Sequence, residues 1–467
     1  MRGHFHRRSI VMVIITPMLI AAACGDDGAE PATTTTPGTA APTTTTTAAP
    51  TTTSEAPPVV GPAGVTDDQI FIGLPVTSDA GEGATLALGF NLGIGDRQAA
   101  AQAVVDYLND QGGIQGREIV PVYFEYDFAN AVNAELRDAE SQAACTLWTE
   151  DTPVFVAYAQ IEQADLAISC LANRGTPVID HSNYVDDVLF AELGDNYYAP
   201  GAPAGLDLNR QAQVYVDGLV AHGFLTSESV VGIFFLDEPR FSRTLEGVLL
   251  PALAAHDITV GETSGISGIE ENFTNIAVQF KEAGVTHVLS YGAGATQSAT
   301  FMGAAAEQGF FPKYGLHSDH VLAFVQEIVP AALLSGSVAI GWFPIYDVGV
   351  AQDPGGPTDA TTTCMEIMES AGQWFGKSLG WLWQTGYCDA LFFIAAAAER
   401  ADELTAEGFR RGAESLGSDF QAVSTFQTFF GPGRHSGVDA VRVIEYQDEC
   451  GCFAYVGDVI AVDDVGS

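Results

Sequence analysis

From Asp67 onward the chain alternates short apolar runs with stretches of helical spacing, and few folds absorb such a pattern. The run "QIFIGLPV" has no polar face, as a parallel strand covered on both sides by helices requires. "DRQAAAQAVVDYLND" follows, with Ala99, Ala103, Val104 and Leu108 on one helical face. "REIVPVYFEYD" reads as strand, "AVNAELRDAESQAACTLW" as helix, "PVFVAY" as strand, "EQADLAISCLANRG" as helix and "PVIDHS" as strand. A second series runs from "DLNRQAQVYVDGLVAHG" (helix) and "VVGIFFLD" (strand) through "SRTLEGVLLPALAAHD", "ITVGETSGI", "FTNIAVQFKEAG", "THVLSYG", "ATQSATFMGAAAEQG" and "KYGLHSD" to a last strand, "VAIGWFP". The alternation predicts an α/β fold with mainly parallel sheets, and two series in succession predict two similar lobes.

The joint "NDQGGIQGREIVPVYFEYD", residues 109–127, shows how the pattern is enforced. Gly112 and Gly113 supply a left-handed helix stop. The strand then returns at once to pair beside the first one, and so short a joint packs the helix closely on its sheet. Its role is structural.

The ends are not part of this fold. Arg2, Arg7 and Arg8 form a positive head, the apolar stretch "SIVMVIITPMLIAAA" follows, and Ala21–Ala23 precede Cys24. This is the layout of a secretory signal over residues 1–23, and a cysteine directly after small residues resembles a bacterial lipobox with Cys24 as the lipidated residue. The stretch is short for a membrane span and contains Pro17, which disfavours an uncleaved helix. Residues 24–65 are almost all Thr, Pro, Ala and Gly. Without large apolar side chains to bury they cannot offset their ordering entropy, and they read as a disordered tether.

Charge narrows the partners. There are 18 Lys+Arg and 59 Asp+Glu, a net of −41, and loss of the three arginines of the head leaves −44. Such a surface is a poor match for nucleic acid or an anionic membrane, and reads as a solvated secreted surface. Of seven cysteines in an exported chain, one is lipidated and six are available for three disulfides. Cys145 with Cys170 and Cys364 with Cys388 are the local pairs. Cys450 and Cys452 stand too close in sequence for a relaxed bridge; a strained bridge and a metal site are the competing readings, and no His-rich partner supports the metal.

The run "IFIGLPV" and the helix ending "LNDQGGIQGREIVPVYFEYD" resemble the start of type I periplasmic binding proteins of the branched-chain amino-acid family. The likeness continues through "NRGTPVID", "VVGIFFLDEPRFSRTLEG", "THVLSYGAGATQSATFMGAAAEQGF", "GYCDALFFIAAAAERA" and "FFGPGRHSGVDAVRVIEY". The resemblance implies two Rossmann-like lobes joined by three crossovers, a ligand in the cleft between them and delivery to the permease of an ABC importer. It implies lobe 1 over 66–203 and 344–429, and lobe 2 over 204–343 and 430–462, in a monomer that needs no cofactor or metal.

In parallel sheets ligands gather at the carboxyl ends of strands. Those ends offer Thr77 and Ser78, Tyr158 and Gln160, His181 and Ser182, and then Asp237, Arg240 and Phe241, Tyr291, Asp319 and His320. Ordinary loop packing is the plain alternative for each. By resemblance Asp319 takes the acid position that grips a ligand amine, and Phe241 and Tyr291 take aromatic walls. The carboxylate-gripping loops depart from the family in "AYAQ" and "DHSN", so amino acids, amides and related small polar compounds all remain open. His181 and His320 are placed to meet across a closed cleft.

Other chemistry finds little footing. "GAGATQ" at 292–297 lacks the third glycine of a dinucleotide loop, and H-E-x-x-H and the G-x-x-x-x-G-K-[ST] P-loop are absent from the sequence. The aromatic-rich "WFGKSLGWLW" reads as core. The sequence therefore predicts a lipid-anchored extracytoplasmic solute-binding protein, not an enzyme. A signalling receptor is the first rival and a secreted enzyme the weaker one. If Cys24 carries the anchor, Cys24→Ala releases the protein into the medium. Immunoblots of medium and membrane fractions check this, and undiminished membrane retention would identify an uncleaved helix instead.

Overall fold

The computed structural model describes residues 63–77, 95–127, 130, 133–160, 165–182, 184–267, 272–349, 352–353, 355–373 and 380–466. The signal, Cys24, the tether as far as residue 62, Ser78 and the side chains of 374–383 lie outside the described residues; Val65, expected in the tether, is instead buried and bridges to Ile70.

Twelve strands form two sheets: β1 (Gln69–Thr77), β2 (Glu118–Tyr126), β3 (Val156–Ala159), β4 (Val178–Asp180), β5 (Tyr197–Tyr198), β6 (Val230–Leu236), β7 (Thr259–Ile266), β8 (His287–Tyr291), β9 (Lys313–His317), β10 (Val338–Gly341), β11 (Ala440–Gln447) and β12 (Cys452–Ala461). The first sheet runs β2-β1-β3-β4-β5 and is parallel throughout. The second runs β12-β11-β10-β9-β8-β6-β7. Its five strands from β7 to β10 repeat the order of the first sheet, and β11 and β12 add an antiparallel hairpin at one edge. The order reverses between β1 and β3 and again between β6 and β8. Each reversal leaves a crevice at the strand ends where helices depart to opposite faces.

The helices of the first sheet are α1 (Arg97–Asp110), α2 (Ala134–Thr146), α3 (Asp165–Asn173) and α4 (Asp187–Leu193). The second begins with α5 (Leu208–Ala221). A continuous helical run follows, formed by α6 (Pro239–Thr244), a π turn (Leu245–Leu249) and α7 (Leu250–Ala255). Then come α8 (Phe273–Glu282), α9 (Ala295–Glu307), α10 (Leu322–Ile328), α11 (Ala331–Leu334) and α12 (Pro344–Asp347). The chain then returns to the first sheet with α13 (Asp359–Ser370), α14 (Gly380–Glu399) and α15 (Ala406–Glu414), where α13 and α14 pack on α1.

Helix starts follow the sequence. Asp96, Asn133, Asp186, Asp207, Asn272, Thr358 and Thr405 each accept a backbone N–H of the first turn. The expected stop at Gly112–Gly113 is present, with φ of 109° and 70°. At Gly113 a Cβ would stand 1.8 Å from the Arg117 carbonyl oxygen, so glycine is required by space as well as by φ.

Two disulfides staple helices, Cys145–Cys170 joining α2 to α3 and Cys364–Cys388 joining α13 to α14. The third, Cys450–Cys452, spans the turn between β11 and β12. Of the readings left open for this pair, the bridge is the one present: Gly451, at φ 64°, turns the chain so that the two Cα atoms lie 5.2 Å apart.

Past α2 a π turn (Leu147–Asp151) lays Trp148 flat on the first sheet. Trp148 is fully buried and its Nε1–H donates to the Val122 carbonyl at 2.9 Å. Room for it exists because β1 carries Gly73, where a Cβ would stand 2.8 Å from the indole. Gly73→Ala is expected to destabilise the protein by about 1–3 kcal/mol through overpacking. Denaturant titration checks this, and a gain in stability, as for a glycine in open space, would contradict it.

Candidate functional site

At the carboxyl ends of the first sheet a polar cluster is buried under α14. Gln160 donates through Nε2 to the Tyr158 hydroxyl at 2.7 Å, and the Tyr158 ring packs edge-on against Tyr387. The Tyr387 hydroxyl donates to the Pro75 carbonyl, fastening α14 to β1. Gly386 makes this approach possible: a Cβ there would lie 2.2 Å from the Tyr158 oxygen and 3.2 Å from His181 Nδ1. His181 is buried with Nε2 3.6 Å from Asp389 Oδ2, close but without hydrogen-bond geometry. Asp389 itself accepts from Val423 N and the Ser424 hydroxyl. Ser182 donates its N–H to Asp180, and Thr77 accepts from the buried Arg97 at 3.5 Å.

At the second sheet, β9 ends in a turn that carries His317, Ser318, Asp319 and His320. Gln211 of α5 donates to Asp319 Oδ2, and the Tyr184 hydroxyl also bonds to this carboxyl. Burial pushes the Asp319 carboxyl up to about 7, against the opposing pull of these two bonds. His317 is pushed well below its ordinary value by burial and by His320, and burial takes His320 down to about 4. Both imidazoles are therefore neutral, and the 3.4 Å approach of His317 Nδ1 to Asp319 is not an ion pair.

The two sets of strand ends face one another. Arg240, opening α6 after β6, donates through Nη1 to Asp165 at the start of α3 and to the Tyr184 carbonyl, both at 3.0 Å. Arg243 donates through Nε to Asp186, the N-cap of α4, at 2.7 Å. Phe241 lies between these arginines in sequence, with its ring against both Tyr184 and Tyr291. Beside this clamp a cavity of about 480 Å³ opens between Asp186, Asp187, Asp207 and Arg210 and the loop Gly433–Ser436.

The expected residues fall into three groups. Tyr158, Gln160 and His181 are brought together, and Asp319 and Phe241 stand at the junction. Tyr291 is fully buried behind Phe241, with its hydroxyl donated to the Leu208 carbonyl. His320 turns into its own lobe, bonded to the Ser290 hydroxyl and the His317 backbone, while His181 sits beside Asp389 in the other. The expected approach of the two histidines across the cleft is replaced by these separate attachments.

Sequence reading missed Tyr184, Gln211, Arg97 and Asp389. Only Arg97, directly after the helix-capping Asp96, carries a local signal. Buried atoms without a hydrogen-bond partner include Gln160 Oε1, Gln211 Oε1 and Asp319 Oδ1, all acceptors. No group of three metal-ligating side chains occurs among the described residues, and no described helix is long and apolar enough to cross a membrane.

A family model described as periplasmic binding protein matches residues 91–450. The chain belongs to the periplasmic binding protein family. Among curated proteins none matches it. Solved structures similar to this binding protein include an ABC transporter substrate-binding protein from Desulfitobacterium hafniense in complex with Leu, at 18% identity and a TM-score of 0.56, covering 83% of this chain and 100% of the other. A branched-chain amino acid ABC transporter protein from Thermus thermophilus with bound valine aligns at 16% identity and 0.61, over 85% and 97%. A fatty acid ABC transporter substrate-binding protein from Thermomonospora curvata aligns at 15% and 0.58, over 86% and 94%. At such identities the likeness speaks for the type I periplasmic binding protein fold.

The raised Asp319 fixes a pH dependence. A carboxyl whose folded value stands above its ordinary 3.8 favours the folded state at low pH, and that contribution is lost as pH rises through about 7. Asp319→Asn is therefore expected to be more stable than the wild type above pH 7, on the order of 2–4 kcal/mol, with the gap closing near pH 4. Ligand-free denaturation at both pH values checks this, and a pH-independent difference would contradict it.

Proposed function

We propose that this chain is a lipid-anchored, extracytoplasmic solute-binding protein that closes on a small polar ligand rich in hydrogen-bond donors and presents it to an ABC permease. The supporting observation is the trio of buried acceptors without partners, Gln160 Oε1 from one sheet and Gln211 Oε1 and Asp319 Oδ1 from the other. A buried acceptor left unmatched costs about 1–3 kcal/mol, and at facing strand ends a ligand's donors would remove that cost. An amine or amide fits that demand better than an anion does. The amino-acid complexes among the similar structures agree with an amine, whereas the fatty acid protein shows that the fold also serves apolar acids.

In this reading Phe241 forms a wall backed by Tyr291, and Thr77, Ser78, Tyr158, His181 and Ser182 contribute polar contacts from lobe 1. Lobe 1 comprises 66–203 and 344–429, lobe 2 comprises 204–343 and 430–462, and closure about their crossovers brings the two sides together. Cys24 and the tether keep the monomer at the cell surface.

A thermal-shift screen over amino acids, amides, urea-like compounds and short organic acids identifies the ligand class. With the best binder, Gln160→Ala and Asp319→Asn are each expected to weaken affinity roughly tenfold to a hundredfold in calorimetric titration, with unchanged circular dichroism. The Asp319 variant loses more for a ligand with an amine than for one without. Two folded variants that bind like the wild type would put the site elsewhere.

A further inference from the structure

The hairpin tip that carries "ECGCF" stands apart from the candidate site. β11 runs antiparallel to β10, with Val338 opposite Glu445, so the tip lies at the amino ends of the parallel strands. The disulfide there differs from the other two in the length of loop it closes and in having one exposed sulfur. Cys145–Cys170 and Cys364–Cys388 close separations of 25 and 24 residues between helices, with Cys145, Cys364 and Cys388 fully buried. Cys450–Cys452 closes a separation of 2, with Cys450 exposed and Cys452 half-buried. Stabilisation by cross-linking grows with the logarithm of the closed loop, so this bridge constrains the unfolded chain least.

The hairpin has other attachments. The ladder pairs Ala440 with Ala461 and continues to Gln447 opposite Cys452. Tyr446 and Phe453 pack edge-on, the Phe453 N–H donates to Gln326 at 2.9 Å, and the Gly451 N–H donates to the Gln447 carbonyl at 2.9 Å. A turn held by these contacts needs no staple, whereas an exposed sulfur is open to attack.

We propose that Cys450–Cys452 is a thiol–disulfide exchange site for small thiols that are neutral or cationic. An incoming thiolate attacks the exposed Sγ of Cys450, a new S–S bond forms, and the Cys450–Cys452 bond breaks. The electron pair leaves on Cys452 Sγ, which takes up a proton. A second thiolate then attacks the mixed disulfide, releasing the small-molecule disulfide and leaving a dithiol. In sum two thiols are oxidised and one protein disulfide is reduced. Charge sets the class of thiol. Asp448 and Glu449 are exposed beside Cys450, Asp448 is held there by the Ser335 hydroxyl at 2.9 Å, and the whole chain carries −41. An anionic thiol meets repulsion that a cationic one does not.

The test treats the full chain, natively folded, with cysteamine, 2-mercaptoethanol or glutathione at one pH, then alkylates and maps peptides by mass. The expected result is mixed disulfide or alkylation at Cys450 and Cys452 alone, with the other two bridges intact. Rates per thiolate are expected to fall from cysteamine to glutathione by about tenfold at low salt, a ratio that shrinks at high salt. Cys450→Ser/Cys452→Ser is expected to lose the labelling and keep the thermal midpoint within about 2 °C. A bridge as resistant as the buried pair, or a midpoint several degrees lower in the double variant, would make it a brace and overturn the proposal. Equal rates for the three thiols would overturn the charge selectivity.

Discussion

Two arginines on one short helix determine how the sheets address each other. Arg240 and Arg243 project from α6 to Asp165 and Asp186, the acids that open α3 and α4. Asp186 is nearly inaccessible while Asp165 is half-exposed, so the two contacts differ in strength. Their geometry matters more than their energy. Both acids stand where strands of the first sheet end, and α6 stands where β6 ends. The charges therefore align two crevices that each sheet would form alone, and Tyr184 and Phe241 fill the space beneath them.

That alignment explains the chemistry under it. Asp319 is withdrawn from water by the other lobe, and its carboxyl is raised because burial outweighs the bonds from Gln211 and Tyr184. The neighbouring imidazoles are kept neutral by the same exclusion of water, so no fixed positive charge competes for the acid. The carboxyl thus sits between lobes with Gln211 and Tyr184 as its polar neighbours.

Much of the architecture was legible because parallel strands buried on both faces must be apolar throughout, and "QIFIGLPV" or "VVGIFFLD" admit little else. The hairpin β11–β12 was not read as strands. Its alternating pattern is weak, with Gly457 and Asp458 interrupting one side, and its identity depends on pairing with β10. Site residues near strand ends were legible as positions and not as orientations. Asp319 was placed by that rule, but the same rule could not say that His320, one residue later, turns inward to Ser290. Tyr184 and Gln211 escaped notice because they reach Asp319 from a loop and a helix flank, where nothing in the local sequence marks direction.

The fastening of α14 to β1 has a consequence for the order in which the protein can mature. The Tyr387 hydroxyl meets the Pro75 carbonyl across 312 residues of chain, and α13 and α14 cover α1. A chain delivered from its amino end presents β1 first, yet the Tyr387 contact to that strand forms only when the segment beyond α12 has also arrived. The second sheet waits as well: β6 to β10 are contiguous, but its edge hairpin β11–β12 lies beyond α13, α14 and α15. Vectorial delivery therefore leaves both halves unfinished until the carboxyl-terminal segment has arrived, so neither can reach its final packing ahead of the other.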